Sequence, residues 1–192
     1  DFNAVLVGVY RLAARPATTT IRFQLTSGHT GVTVPVLTRV SSTDNKTVWE
    51  TTEAKSAATG TTYIDVLCSC QVPGVVGNGY LIGSISKIMD PVTNVDSAAN
   101  TTVSAGGTDQ EDDDALRERI KLAPEAFTTA GPYGAYEFHA RTASPEIIDV
   151  SVTRPTPGTV SIYPLMEDGS ITGSTVLDAV YAACNDRKVR PL

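Results

Sequence analysis

The chain has 192 residues, a formal charge of −6, 41% hydrophobic and 6% aromatic residues, and a mean hydropathy of −0.03, enough for one sizeable core or two small ones in a soluble globular protein. Residues 1–107 balance seven basic against seven acidic side chains, so the whole excess lies in residues 108–192, with eight basic and fourteen acidic. The absence of a basic stripe argues against nucleic-acid binding through phosphates, and no apolar run approaches the roughly 18–20 residues that cross a bilayer.

Residues 1–15 read as the end of a helix. Ala4, Val5, Gly8, Val9, Leu12 and Ala13 recur at spacings of three and four, and Pro16 stops the pattern. The chain starts at Asp1 without a methionine and ends "RKVRPL", which raises the expectation that it is a fragment of a longer protein.

Residues 16–105 read as a β-rich module. The expected strands are "TTIRFQLT", "GVTVPVLTR", "TVWETT", "TYIDVLCSCQV" and "YLIGSIS", with turns at "SGHTG", "DN", "PG" and "GNG". Pro35 marks an edge or a bulge. Cys68 and Cys70 fall on the apolar face of an alternating strand, so they are small core residues rather than a metal pair; free thiols suit synthesis in a reducing cytoplasm. The polar stretch "DPVTNVDSAANTTVSAGG" places the module boundary near 100–107.

Residues 106–192 read as a mixed α+β module, making the fold class α+β. A helix is expected over 109–123 on the stripe Leu116, Ile120, Ala123, closed by Pro124. A second covers about 133–143 on Tyr136, Ala140 and Ala143. "EIIDVSVT" and "GTVSIYPLM" form a strand pair around "RPTPG", and a last helix spans 174–185 on Val176, Val180 and Ala183.

The acidic run "TDQEDDD" reads as a helix start. Thr108 and Glu111 have capping-box spacing, or Asp109 is itself the cap. Asp112, Asp113 and Asp114 then sit at the positive end of the helix dipole, and Asp113 with Arg117 forms an i, i+4 pair. A metal site needs converging carboxylates, whereas successive helical residues diverge by about 100°, and the EF-hand spacing is absent. His29 falls in a turn and His139 on a short helix, with no nucleophile elbow, HExxH or phosphate loop nearby. No catalytic residue, metal ligand or cofactor-binding residue is assigned.

The order "GGTDQEDDDALRERIKLAPEAFTTAGPYGAYEFHARTA", then "DVSVTRPTPGTVSIYPL", resembles the baseplate J family of contractile-tailed temperate phages. The residues carrying the resemblance are Gly106, Gly107, Asp109, Glu111, Asp113, Arg117, Arg119, Tyr136 and Glu137, and "PGVVGNGYLIGSI" resembles the segment before them. The resemblance implies a structural wedge subunit of the tail baseplate, made in the host cytoplasm. It would contact other wedge proteins and copies of itself, contribute to assembly and to coupling host attachment with sheath contraction, and need no cofactor or small-molecule substrate. Family proteins are longer at both ends, again pointing to a fragment. Two other readings stay open: a carbohydrate-binding or adhesive β domain, from the Thr-rich stretch 17–62 with Trp49, and a metal hydrolase using Asp109–Asp114.

Overall fold

The computed structural model describes residues 8–124, 133–167 and 169–186. The chain forms two compact units. One is residues 14–109; the other combines the segment before residue 14 with the chain from Gln110 onward.

Residues 14–109 form an antiparallel sheet of six strands. The strands of the unit are β1 Thr18–Leu25, β2 Val32–Val34, β3 Arg39–Ser42, β4 Val48–Thr51, β5 Lys55–Ala57, β6 Tyr63–Cys70, β7 Ile85–Ile88 and β8 Val95–Asn100. The six-stranded order is β7-β3-β4-β6-β1-β8, and β2 pairs with β5 in a separate ribbon. Alternation puts Ile21, Phe23 and Leu25 of β1 and Ile64, Val66, Cys68 and Cys70 of β6 in one core with Val40, Trp49 and Ile85. Burial pushes the Cys68 thiol up to about 12, as befits a packing residue rather than a reactive one.

The two outer strands of the sheet, β7 and β8, lie side by side, so the sheet curls toward a barrel. Asn100 closes the seam. Its Oδ1 accepts from Ile85 N (2.9 Å), its Nδ2 donates to Leu81 O and Thr102 O (2.9 Å each), and its own carbonyl accepts from Gly83 N (3.0 Å). The fully buried amide satisfies the Ile85 N–H and adds to the bonds already made to the Leu81 and Thr102 carbonyls.

Three differences from the sequence reading have local causes. "GVTVPVLTR" holds only β2 and the first residue of β3, because after β2 the Pro35 carbonyl accepts from the hydroxyls of Thr38 (2.8 Å) and Thr51 (2.7 Å), and Leu37 adopts a left-handed φ of 63°. "YLIGSIS" turns at Leu81 and Ile82, which are exposed, and pairs only from Ile85. β8 is a strand that the polar stretch "DPVTNVDSAANTTVSAGG" does not suggest, since its two inward positions are Ala98 and Asn100 rather than large apolar residues.

In the second unit, α1 spans Asp113–Leu122, α2 Tyr133–Ala143 and α3 Ser174–Cys184, with strands β9 Ile147–Thr153 and β10 Ser161–Met166 paired antiparallel. Helix α2 packs on β9 and on α3, burying Tyr136, Ala140, Ile147, Val150, Met166, Val180 and Cys184. A two-stranded ribbon is marginal alone, and this helical cover completes its core. The expected stripes of all three helices face inward.

The helix expected over residues 1–15 is not found where the chain is described. Residues 1–7 lie outside the described residues, and 8–15 are irregular or extended. Gly8 has a φ of 71°, and the peptide groups of Leu12 are taken by Glu111, which leaves no helical ladder to form. Val9 alone is deeply buried, against Leu116 and Ala123.

Asn100→Ala should destabilise the protein by about 1–3 kcal/mol, because it removes the partner of the buried Ile85 N–H. Urea unfolding checks this. A loss near zero would mean that the seam closes without the amide.

Candidate functional site

The nine residues singled out in the sequence fall into two constellations, one in each unit. In the barrel, the Gly106–Gly107 turn meets the "PGVVGNG" segment. Asn78 grips Gly107 at both ends, its Oδ1 accepting from Gly107 N (2.9 Å) and its Nδ2 donating to Gly107 O (2.7 Å). Asp109 Oδ1 accepts from Val75 N (2.9 Å) at the short 3-10 turn Val75–Gly77. Ser104 Oγ donates to Gly77 O (2.6 Å) and accepts from Tyr80 N (2.9 Å).

Glycine is required here for two different reasons. Gly106 has a φ of 84°, a conformation that costs other residues about 1–2 kcal/mol. Gly107 has ordinary backbone angles, but a Cβ there would run into the Gly74 carbonyl oxygen, with Asn78 Oδ1 at 2.9 Å and Ala17 N at 3.0 Å. The pair is a clamped turn within the barrel.

In the other unit the acidic run divides by role. The helix cap is Asp112, not Thr108 or Asp109, and its side chain accepts from Ala115 N at 2.7 Å. Asp113 and Asp114 occupy the first turn. Asp113 pairs with Arg11 (2.6 Å), whose guanidinium holds the carboxyl below its ordinary range. Arg117 pairs with Asp114 rather than with Asp113.

Glu111 has left the helix start altogether. Its side chain is 2% exposed and that of Arg119 is 4% exposed. Arg119 donates Nε to Glu111 Oε1 (2.6 Å) and Nη2 to Oε2 (2.9 Å), a bidentate pair. The remaining valences are filled from elsewhere: Leu12 N donates to Glu111 Oε2 (3.0 Å), and Arg119 donates to Tyr10 O (2.6 Å) and Thr142 Oγ1 (3.1 Å). Arg11 also donates to the Glu111 carbonyl (2.7 Å). Helix α1, helix α2 and the segment 9–12 therefore converge on one carboxylate–guanidinium pair.

The other two signature residues are also packed in place. Tyr136 is buried in the core of α2, α3 and the β-ribbon. Glu137 pairs with Arg141 (3.0 Å), which also reaches Asp149 (2.8 Å) on β9. The structure brings Glu111 to Arg119 and Gly107 to Asn78, and assembles no common pocket from the nine. Asn78, Ser104, Tyr10, Arg11 and Thr142 carry no signal in the sequence that marks them as site residues, and Leu12 stands out only as part of an expected helix stripe. Asn78, set between glycines in "GNG", was read only as a turn residue; the segment 10–12 lies about a hundred positions from its partners and leaves no local trace.

The arrangement fastens chain segments together and offers no reactive group. Among the described residues no three His, Cys, Asp or Glu side chains converge on a metal position. His29 accepts from Gly31 N at Nδ1 (3.1 Å), so Nε2 carries the proton donated to Thr61 O (2.8 Å). His139 is half-buried beside Phe138, and burial lowers its pKa. Cys184 is buried, its thiol pushed up to about 11. Trp49 is fully buried with its Nε1 on Thr47 Oγ1 (3.0 Å), so it presents no face for stacking on a sugar. Among the described residues, no helix is long and apolar enough to cross a membrane.

The fold is a small antiparallel barrel followed in the chain by a helix-covered β-ribbon, and the chain belongs to the baseplate J-like family. The model described as the Baseplate J-like protein barrel domain matches residues 20–107, and the Baseplate J-like central domain matches residues 128–192. Over 96 residues the chain is 35% identical to Baseplate protein J of Escherichia phage P2. That match covers 50% of this chain and 32% of the phage P2 protein, so it spans about a third of that relative's length. In fold, the chain is similar to a protein in the cryo-EM structure of the anti-feeding prophage baseplate, with a TM-score of 0.51 at 11% identity. The likeness covers 99% of this chain and 59% of that one. The resemblance read from the sequence is thus met by both family models.

Gly107→Ala should cost more stability than Gly106→Ala, about 1–3 kcal/mol against about 1–2 kcal/mol, because the first strikes backbone and the second only strains a torsion. Denaturant unfolding of the two variants checks the ranking, which reverses if the Gly107 turn can relax.

Proposed function

We propose that this chain is a structural subunit of a contractile phage-tail baseplate. The observation carrying this reading is the pair of family models, barrel then central domain, in chain order and together spanning most of the chain. The name of the phage P2 relative and the source of the structural neighbour point the same way. The physical character of the signature agrees: its residues hold segments together by buried hydrogen bonds, ion pairs and close glycine contacts.

On this reading the protein works by presenting surfaces to other baseplate proteins and to copies of itself, without catalysis, and contributes to assembly, host attachment and sheath contraction. It is made in the host cytoplasm and ends in the tail. The adhesive, sugar-binding alternative loses its best residue with the burial of Trp49. The hydrolase alternative loses its cluster, because Asp109, Glu111, Asp112, Asp113 and Asp114 are engaged with five different partners.

Quantitative mass spectrometry of purified tail particles should find the protein at a multiple of six copies, the symmetry of the baseplate with the related fold. Intact particles that lack it would contradict the proposal.

A further inference from the structure

The chain enters the barrel unit after Ala13 and leaves it after Asp109. On the far side of both crossings the two passing segments are fastened to each other. Leu12 O accepts from Glu111 N (3.1 Å), Leu12 N donates to the Glu111 carboxylate, Tyr10 O accepts from Arg119, and Arg11 reaches both the Glu111 carbonyl and Asp113. Val9 adds an apolar anchor against Leu116 and Ala123. Inside the barrel the same two passes pair again. Arg15 and Thr108 exchange both backbone hydrogen bonds (2.8 and 3.0 Å), as do Thr18 and Ala105 (2.9 and 3.2 Å). The barrel is in this sense a large loop inserted in the other unit, closed at its neck.

We propose that the segment 9–12, Glu111 and Arg119 form a clasp that keeps the barrel out of the path of tension. Pull applied across the whole chain reaches the neck from the side of residue 9 on one pass and residue 113 on the other. Where two passes are joined side by side and loaded from the same end, bonds break one after another from that end, and residues beyond a closed contact carry no load. Of the bonds that join the two passes, the first in line are those of the clasp. Two of them, from Leu12 N and to Tyr10 O, end on the Glu111 carboxylate and the Arg119 guanidinium, whose side chains are 2% and 4% exposed, and hydrogen bonds to desolvated charged groups resist replacement by water. Load therefore passes between the chain ends through the clasp, and β1, β6 and the rest of the barrel are strained only once it opens. The inference follows from connectivity and bonding within each unit, and holds whether or not the chain enters a baseplate.

The test is force spectroscopy on the full-length chain, held by handles at its two termini, in wild type and two variants. Arg119→Ala, which strips the clasp of its guanidinium, should lower the force at which the neck opens. Asn100→Ala, which weakens the barrel seam, should leave that opening force unchanged. Release of the barrel, roughly 330 Å of chain at full extension, should never precede opening of the neck. The opposite pattern, with Asn100→Ala lowering the force of neck opening or barrel length appearing before it, overturns the proposal. Should Arg119→Ala fail to fold, Arg11→Ala, which leaves the buried pair intact, takes its place with the same expectation.

Discussion

The buried pair of Glu111 and Arg119 is the interaction on which the second unit depends. Taking two charges out of water costs several kcal/mol per ion, and their mutual attraction offsets this only when every remaining hydrogen-bonding position is filled. Here the positions are filled from three directions: from helix α1 by Arg119 itself, from α2 by Thr142, and from the peptide groups of Tyr10 and Leu12. Without the segment 9–12 the pair would face water on one side and lose two of its bonds. A unit built almost wholly from the chain after residue 110 thus requires a few residues located a hundred positions earlier.

The same logic runs through the barrel. The Gly107 peptide is held by one amide side chain, and a second buried amide, Asn100, closes the seam between β7 and β8. In each case a polar side chain supplies hydrogen bonds where a turn or an incomplete ladder cannot. Such groups confer geometric uniqueness more than raw stability, because an alternative packing would leave them unsatisfied.

Much of this was legible in the sequence. The alternation in "TTIRFQLT" and "YIDVLCSC", the stripes of the three helices and the pair around "RPTPG" all express burial periodicity, which is local. The family resemblance is matched by the barrel and central-domain models, while Asp109, Glu111, Asp113, Arg117 and Arg119 lie between the residues those models match. What escaped was set by contacts distant in sequence. The capping-box spacing of Thr108 and Glu111 is a sound local pattern, yet Glu111 is drawn away to Arg119, and Asp112 caps instead. The apolar spacing of residues 4–13 suggests a helix, yet the peptide groups of Leu12 find partners at Glu111. β8 has too few large apolar residues to show alternation, and its register is fixed by Asn100 at the seam. Asp113 was assigned to Arg117 by spacing, but Arg11 reaches it first.

The buried pair holds the segment 9–12 as well as satisfying itself. The direct measurement is the unfolding free energy of the double variant Glu111→Leu, Arg119→Met. An isolated buried pair replaced by apolar residues of similar size is often neutral or stabilising. If the pair anchors the segment, the replacement orphans Leu12 N and Tyr10 O, and the double variant should be less stable than wild type by about 2 kcal/mol or more. A double variant as stable as wild type would contradict the account.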